Sequence, residues 1–407
     1  MTVEELRTRF PQLKQTVYGK PLVYLDNAAT SLRPQSVLDS WMEMSVRDNA
    51  NIYRAVHKTA ANATAKVEDA REAVRRFIGA QSREEVIFTA GTTDSINLLA
   101  FSFGESFVKE GDEIILSSVE HHADIVPWQM MCRRKGACIK VLPVDDSGHL
   151  QLEYLERMIT PRTRLVCVSH ISNVLGLVNP LEEIVRTAHA KGCPVLIDGA
   201  QGIVHSKVDV KALDCDFYAF SGHKIFAATG TGILYGKKEW MEKLPPYQGG
   251  GEMIDTVRWE GTSYAPSPLK FEAGTRNFAS IPTFTQALAL AEECRSKEIE
   301  DSQRQITSLV TDALKQDGRI KLFGEPSALE EKVPLFSFCV QGAHHEDLAL
   351  ILDKMGVAAR SGQMCAEPLM DRFGVTGMLR VSFGAYNTVQ EAEYFLKSLQ
   401  NAIGMLV

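Results

Sequence analysis

Short apolar runs that alternate with helical periods constrain this chain more than any other feature of its sequence. "EEVIFTA" leads into "DSINLLAFSFGESFV", and "DEIILSS" follows. "TRLVCVSHISN" precedes "LEEIVRTAHAKG", which gives way to "PVLIDGA" and then "CDFYAFSGHK". Strands this apolar are covered on both faces, and the helices between them supply the crossovers that parallel pairing needs. The first two thirds of the chain is therefore predicted to be α/β, a large domain with a mainly parallel sheet. From about residue 283 the texture changes. A long helical stretch, "TQALALAEECRSKEIEDSQRQITSLVTDALKQ", precedes "PLFSFCV", a helix near "EDLALILDKMG" and a last helix in "VQEAEYFLKSLQNAIG". This reads as a smaller C-terminal α+β domain. The expected division is 15–265 for the large unit and 283–407, joined by 1–14, for the small one. Between them "PPYQGGGEMIDTVRWEGTSYAPSPLKFEAGTRN" carries aromatics and charges among its Gly and Pro, as a functional loop system does.

Composition narrows the classes of function. The 407 residues are 45% hydrophobic and 23% charged, as in an ordinary globular protein. The formal charge is −7 and no Lys/Arg-rich run occurs, so no nucleic acid partner is expected. "MTVEELRTRF" lacks the apolar core of a signal peptide, and no apolar run is long enough to span a bilayer. A cytoplasmic location without membrane partners is the expectation. The eight cysteines are scattered with no CxxC, which argues against a metal site or a disulfide framework. Cys167 and Cys215 lie within apparent strands and read as inert core thiols.

Ligands of parallel α/β sheets collect at the carboxyl ends of strands. After "EEVIFTA" comes "GTTDSIN", a glycine and two hydroxyls opening a helix, which suits a phosphate and equally an ordinary cap. After "DEIILSS" come His121 and His122, better suited to a structural or stacking role than to a metal. Asn173 follows "VSHIS" in what could be a plain turn. Asp198 ends "PVLID", with Gln201 three residues on. Lys224 follows the strand in "DFYAFSGHKIF". Phosphate donors, a lone carboxylate, an imidazole and a lysine together match the needs of pyridoxal 5'-phosphate. The lysine would bind the aldehyde as a Schiff base, and the acid would pair with the pyridinium nitrogen. Such a lysine has to be partly desolvated for its amine to be neutral.

These motifs stand in a fixed order: "VYLDNAAT", "GTTDSINLLA", "EHHADIVPWQ", "HISNVLG", "IDGAQ", "DFYAFSGHK", "GGGEMI", "FEAGT", "MCAEPLM" and "LRVSFGAYNT". In that order the chain resembles the SUF-type (group II) cysteine desulfurases of the class V, fold type I pyridoxal phosphate enzymes, along nearly its whole length. The resemblance implies Lys224 as the Schiff-base lysine, Asp198 on the pyridine nitrogen, His121 stacked on the ring and Gln201 near the phenolic oxygen. It implies Thr93, Ser221 and His223 on the phosphate, with Thr92 close by. Thr275 would reach the phosphate of the partner subunit, which makes the protein a homodimer. Asn173, Arg360 and Arg380 would handle the substrate carboxylate and its surroundings, and His57 would line the entrance. Cys365 lies in "RSGQMCAEPLM", a polar, Gly- and Pro-containing segment unlike the setting of a core cysteine. A mobile, partly exposed thiol there, its thiolate favoured by Arg360 and His57, would be the sulfur carrier.

The activity implied is conversion of L-cysteine to L-alanine. The sulfur would pass as a persulfide on Cys365 to an acceptor protein of the SUF system for iron–sulfur cluster assembly. A selenocysteine lyase or cysteine sulfinate desulfinase is the alternative, since the better leaving chemistry of those substrates would dispense with Cys365. An oxidoreductase is disfavoured because the glycines of "ATGTGILYG" precede a strand, whereas a dinucleotide fingerprint follows one. A silent scaffold is disfavoured by the joint presence of the lysine, the aspartate and the cysteine. The chain departs from the family pattern in three places. "IFAATGTG" replaces a common Gly-Pro after Lys224, Arg276 stands where proline is frequent, and "GQMC" replaces a His-His before the cysteine.

Overall fold

A computed structural model describes residues 1–407. Seven strands form the main sheet: β1 (Val86–Thr89), β2 (Glu113–Ser117), β3 (Cys138–Leu142), β4 (Thr163–Ser169), β5 (Val195–Asp198), β6 (Phe217–Ser221) and β7 (Gly232–Gly236). Their order across the sheet is β1-β7-β6-β5-β4-β2-β3. The pairs β2–β3, β2–β4, β4–β5 and β5–β6 are parallel, and β7 runs antiparallel to both β1 and β6. The exception has a simple cause. Residues 222–231 between β6 and β7 form a short loop, and a parallel return needs a crossover of about a dozen residues or more.

Both faces of the sheet are covered. Val166 and Val168 of β4 pack into the largest core with Val195, Ile197, Tyr218 and Phe220. Leu165 and Cys167 point the other way, into a second core with Leu196, Phe217, Ala219 and the helix residues Leu99 and Phe103. That two-sided burial is why these strands are apolar without alternation.

A second sheet is antiparallel throughout. It contains β8 (Ile320–Phe323), β9 (Leu335–Val340), β10 (Arg360–Gly362) and β11 (Met378–Ser382), in the order β8-β9-β11-β10. Helices Lys297–Gln316, His345–Lys354 and Val389–Leu406 cover it with Val310, Leu314, Leu352, Phe395 and Leu399. The helical stretch expected to be continuous is broken in two: one helix is Thr283–Glu293, and the next begins at Lys297. Ser296 adopts extended dihedrals (φ −66°, ψ 143°) just before the second helix, and its hydroxyl donates to the Met1 carbonyl at 2.9 Å instead of capping that helix. Val23 and Tyr24 pair in parallel with Val357 and Ala358, so Val23 and Leu25 lie in the core of the second sheet. This pairing carries the "DNAAT" loop across the space between the two sheets.

Candidate active site

The carboxyl ends of the parallel strands deliver the site. β6 stops at Ser221 and the chain turns through Gly222–Lys224. Gly222 is required at that turn, because a Cβ would fall 2.4 Å from Thr231 Oγ1. Burial pushes the Lys224 amine down to about 8, while Asp198 holds it partly up. β5 ends on Asp198, which is buried and accepts a 2.8 Å hydrogen bond from the Ala200 N–H. Burial raises the Asp198 carboxyl above the ordinary aspartate range, and Lys224 pulls it back.

From β1 the chain passes through Gly91 (φ +153°) into helix Thr92–Phe107. Gly232 of β7 backs onto that glycine so closely that a Cβ would lie 2.4 Å from the Gly91 Cα. The Thr92 N–H donates to Ser221 Oγ at 2.8 Å, and the two hydroxyls are also 2.8 Å apart. The first turn of a helix has unpaired N–H groups and a positive end, so this corner favours an anion. His223 Nδ1 lies 3.1 Å from Thr30 Oγ1, and the Ser31 hydroxyl donates to the His223 carbonyl at 3.0 Å. After β2, His121 Nδ1 accepts the Ala123 N–H at 3.0 Å. Burial pushes both imidazoles down to about 4, with Lys224 adding to the effect, so both are neutral at pH 7.

The second sheet closes the site. Arg360 of β10 and Arg380 of β11 are paired in register. Buried Arg380 donates to Asp26 Oδ1 at 3.0 Å and to the Asn173 carbonyl at 2.9 Å, and Arg360 lies 3.8 Å from Asp26. Beyond β10, Met364 and Cys365 have left-handed dihedrals, φ 54° and 55°. Two successive side-chain-bearing residues there cost about 1–2 kcal/mol each, so the turn needs outside support. Asn173 Nδ2 donates to the Met364 carbonyl at 2.8 Å, and the His122 N–H donates to the Cys365 carbonyl at 2.7 Å. Met364 is buried and Cys365 is exposed.

These elements enclose a cavity of about 210 Å³. It is lined by Thr92, Thr93, His121, Asn173, Asp198, Gln201, Ser221, His223, Lys224, Arg360, Cys365 and Arg380. Two expected residues lie outside it. His57 is exposed and caps helix Lys58–Phe77, its Nδ1 accepting the Ala60 N–H at 3.3 Å. Thr275 is exposed on the loop after Gly274. Cys167 and Cys215 are buried, in keeping with inert core thiols, whereas Cys138 is exposed. Sequence reasoning missed Asp26, Ala28, Ser169 and Met364. Asp26 and Ala28 were within reach, since both fall in the "DNAAT" motif. Met364, immediately before Cys365, forms part of the cavity wall.

The donor set fits pyridoxal phosphate. A half-buried lysine shares the cavity with a buried carboxylate, and hydroxyls gather at a helix N-terminus. Ser169 Oγ and Arg380 Nε are buried at the cavity with no hydrogen-bond partner in the chain. The fold is that of the fold type I pyridoxal phosphate enzymes.

The chain belongs to the aminotransferase class-V family, which matches residues 23–395. A probable cysteine desulfurase of Vibrio cholerae serotype O1 is 42% identical over 407 residues, covering 100% of both chains. A cysteine desulfurase of Shigella flexneri is 42% identical over 400 residues, 98% of each chain. The chain spans only 58% of a longer relative, a probable cysteine desulfurase from Mycolicibacterium paratuberculosis. Among solved structures, the cysteine desulfurase CsdA of Escherichia coli superposes with a TM-score of 0.91 at 36% identity, covering 100% of both chains. An apo cysteine desulfurase from Thermococcus onnurineus NA1 gives 0.93 at 35% identity, covering 100% of this chain and 99% of the other.

Proposed function

We propose that this protein is a pyridoxal phosphate-dependent cysteine desulfurase that converts L-cysteine to L-alanine and carries the sulfur as a persulfide on Cys365. The observation that carries the reading is one cavity wall holding both Lys224 and an exposed thiol on a turn of strained backbone. Thr92, Thr93, Ser221 and His223 would hold the phosphate, Asp198 the ring nitrogen, and Gln201 and His121 the ring's edge and face. Gln201 spends one N–H on the Ala28 carbonyl, which fixes its side chain at the cavity floor. Bound there, the cofactor supplies an electron sink for the pair released when the substrate loses its Cα proton.

The chain's own groups do the rest. Arg380 keeps its Nε free for the substrate carboxylate, while its other nitrogens are braced by Asp26 and Asn173. Lys224, with its amine lowered to about 8, is neutral in a useful fraction at pH 7 and takes the Cα proton. Cys365 as thiolate attacks the substrate sulfur. A sulfur–sulfur bond forms, the carbon–sulfur bond breaks with its electron pair left on carbon, and protonation gives L-alanine. L-cysteine and the enzyme thiol thus become L-alanine and the enzyme persulfide, with no outside oxidant.

The finer assignments belong to the same proposal. The acceptor is a SUF-type protein serving iron–sulfur cluster assembly, and the enzyme works in the cytoplasm. No helix of the chain is long and apolar enough to cross a membrane. Homodimer formation is supported by Thr275 and His57 standing outside their own chain's cavity, and by apolar residues left in solvent. Trp41, Met42 and Val46 are exposed on helix Gln35–Val46, and Trp259 is fully exposed on the turn of the hairpin Ile254–Tyr264.

The test is L-alanine formed from L-cysteine with a thiol reductant present, for the wild type and Cys365→Ala, with the cofactor absorbance recorded. Alanine from the wild type alone supports the reading. Alanine from both means a lyase that does not use the thiol, of the kind that acts on selenocysteine or cysteine sulfinate.

A further inference from the structure

We propose that His122 is a positioning residue that latches the Cys365 turn over the cavity, and that breaking this latch frees the thiol to swing outward. The inference rests on the reading of Cys365 as the sulfur carrier. A carrier has two tasks that conflict: its sulfur has to reach substrate inside the cavity and then be presented to an acceptor outside. Cys365 both lines the cavity and is exposed, and its backbone is held in an unfavourable conformation.

Three hydrogen bonds tie residues 364–367 to the strand-end loops of the main sheet. One is from Asn173 Nδ2 to the Met364 carbonyl at 2.8 Å. The other two meet at His122. Its own N–H donates to the Cys365 carbonyl at 2.7 Å, and its Nε2 accepts the Glu367 N–H at 3.0 Å. The ring therefore grips the segment two residues beyond the thiol while the backbone grips the thiol's own residue. Because Nε2 accepts, the ring proton is on Nδ1. The same imidazole is reachable from outside, since His122 and Glu367 line a surface groove of about 540 Å³. His121, one residue earlier, lines the cavity and is absent from that groove, so the adjacent histidines divide inward and outward duties.

The latch is tested on the cofactor-loaded, substrate-free enzyme by the rate at which iodoacetamide alkylates Cys365, read on the Cys365 peptide by mass spectrometry. His122→Ala removes the acceptor, and Glu367→Pro removes the donor of the same bond without touching the histidine. Proline is compatible with the first position of helix Glu367–Phe373. Each variant is expected to alkylate about two- to tenfold faster, the range set by one hydrogen bond. The double variant is expected to be no faster than either single one, and His122→Gln, which restores an acceptor, to return toward the wild-type rate. Hydrogen exchange of residues 363–368 should quicken in the same order. Rates within error of the wild type in both single variants, or multiplying effects in the double one, would overturn the latch. Because alkylation needs no turnover, failure of the sulfur-carrier reading appears separately, as alanine formation that survives Cys365→Ala.

Discussion

Replacing Arg71 with alanine should destabilise the protein more than any surface change, and the structure gives the size of the effect. Arg71 and Glu272 are 1% and 2% exposed. Arg71 Nη1 and Nη2 donate to the two carboxylate oxygens of Glu272 at 2.7 and 3.0 Å, and Nη1 also donates to the Val86 carbonyl at 2.7 Å. The guanidinium lies 4.4 Å from the Phe88 ring centroid. Glu272 has one further donor, the Phe88 N–H at 2.8 Å. Arg71→Ala therefore leaves a buried carboxylate with a single hydrogen bond, a situation that costs about 3–5 kcal/mol. The Val86 carbonyl and the contacts to Glu68 and Tyr53 are lost in any Arg71 variant, so removing both charges, as Arg71→Met with Glu272→Leu, exchanges the stranded carboxylate for one orphaned Phe88 N–H at about 1–3 kcal/mol. The double variant should thus be the more stable of the two. Urea unfolding of the cofactor-free protein followed by circular dichroism ranks them by midpoint, which avoids assigning one free energy to a molecule of this size. A midpoint for Arg71→Ala within error of the wild type, or a double variant with a midpoint no higher than the single one, would refute the reasoning. Glu272 lies in the "FEAGT" segment that carries Thr275, so on the proposed role of Thr275 at the partner's phosphate the cofactor should dissociate faster from Arg71→Ala than from the wild type.

Two further outcomes are expected. Burial holds His121, His170, His205 and His223 at about 4, whereas an unfolded histidine titrates near 6.5. The unfolded chain thus binds more protons between pH 6.5 and 4, and stability is lost as pH falls through that window, by about 1.4 kcal/mol per pH unit per imidazole. Glu120, raised to about 7 by burial, works in the opposite direction. The readout is therefore the slope for His170→Asn against the wild type, which should be shallower; an unchanged slope contradicts the assignment. Thr275 can be tested by complementation. A heterodimer of Thr275→Val with Lys224→Ala should keep one competent site and about half the wild-type activity if Thr275 acts across the interface. Activity no higher than that of the two homodimeric variants would place Thr275 in its own chain's site.

Much of the site was legible because strand ends are local features. Asp198 closes an apolar run at the end of β5, which pairs with β6, and Lys224 stands in the turn just after β6, so both reach the same cavity. What the sequence concealed depends on segments far apart in the chain. Asp26 meets Arg380 through the pairing of residues 23–24 with 357–358, and no periodicity announces that a two-residue strand will join the far lobe. The Arg71–Glu272 pair was hidden for the same reason. The antiparallel β7 follows from loop length, yet its place between β1 and β6 does not. The departure at "GQMC" was visible, but only the folded chain shows that Met364 is buried in the cavity wall while Cys365 lines the same cavity and stays exposed.

The central claim, that substrate sulfur passes to Cys365, is tested most directly by finding the sulfur. The cofactor-loaded enzyme is mixed with L-cysteine without acceptor or reductant, quenched by alkylation, digested and examined by mass spectrometry. One added sulfur is expected on the Cys365 peptide, released as sulfide by reductant, with L-alanine formed in equal amount. L-alanine without added sulfur on that peptide, or with the sulfur on Cys138 instead, would contradict it.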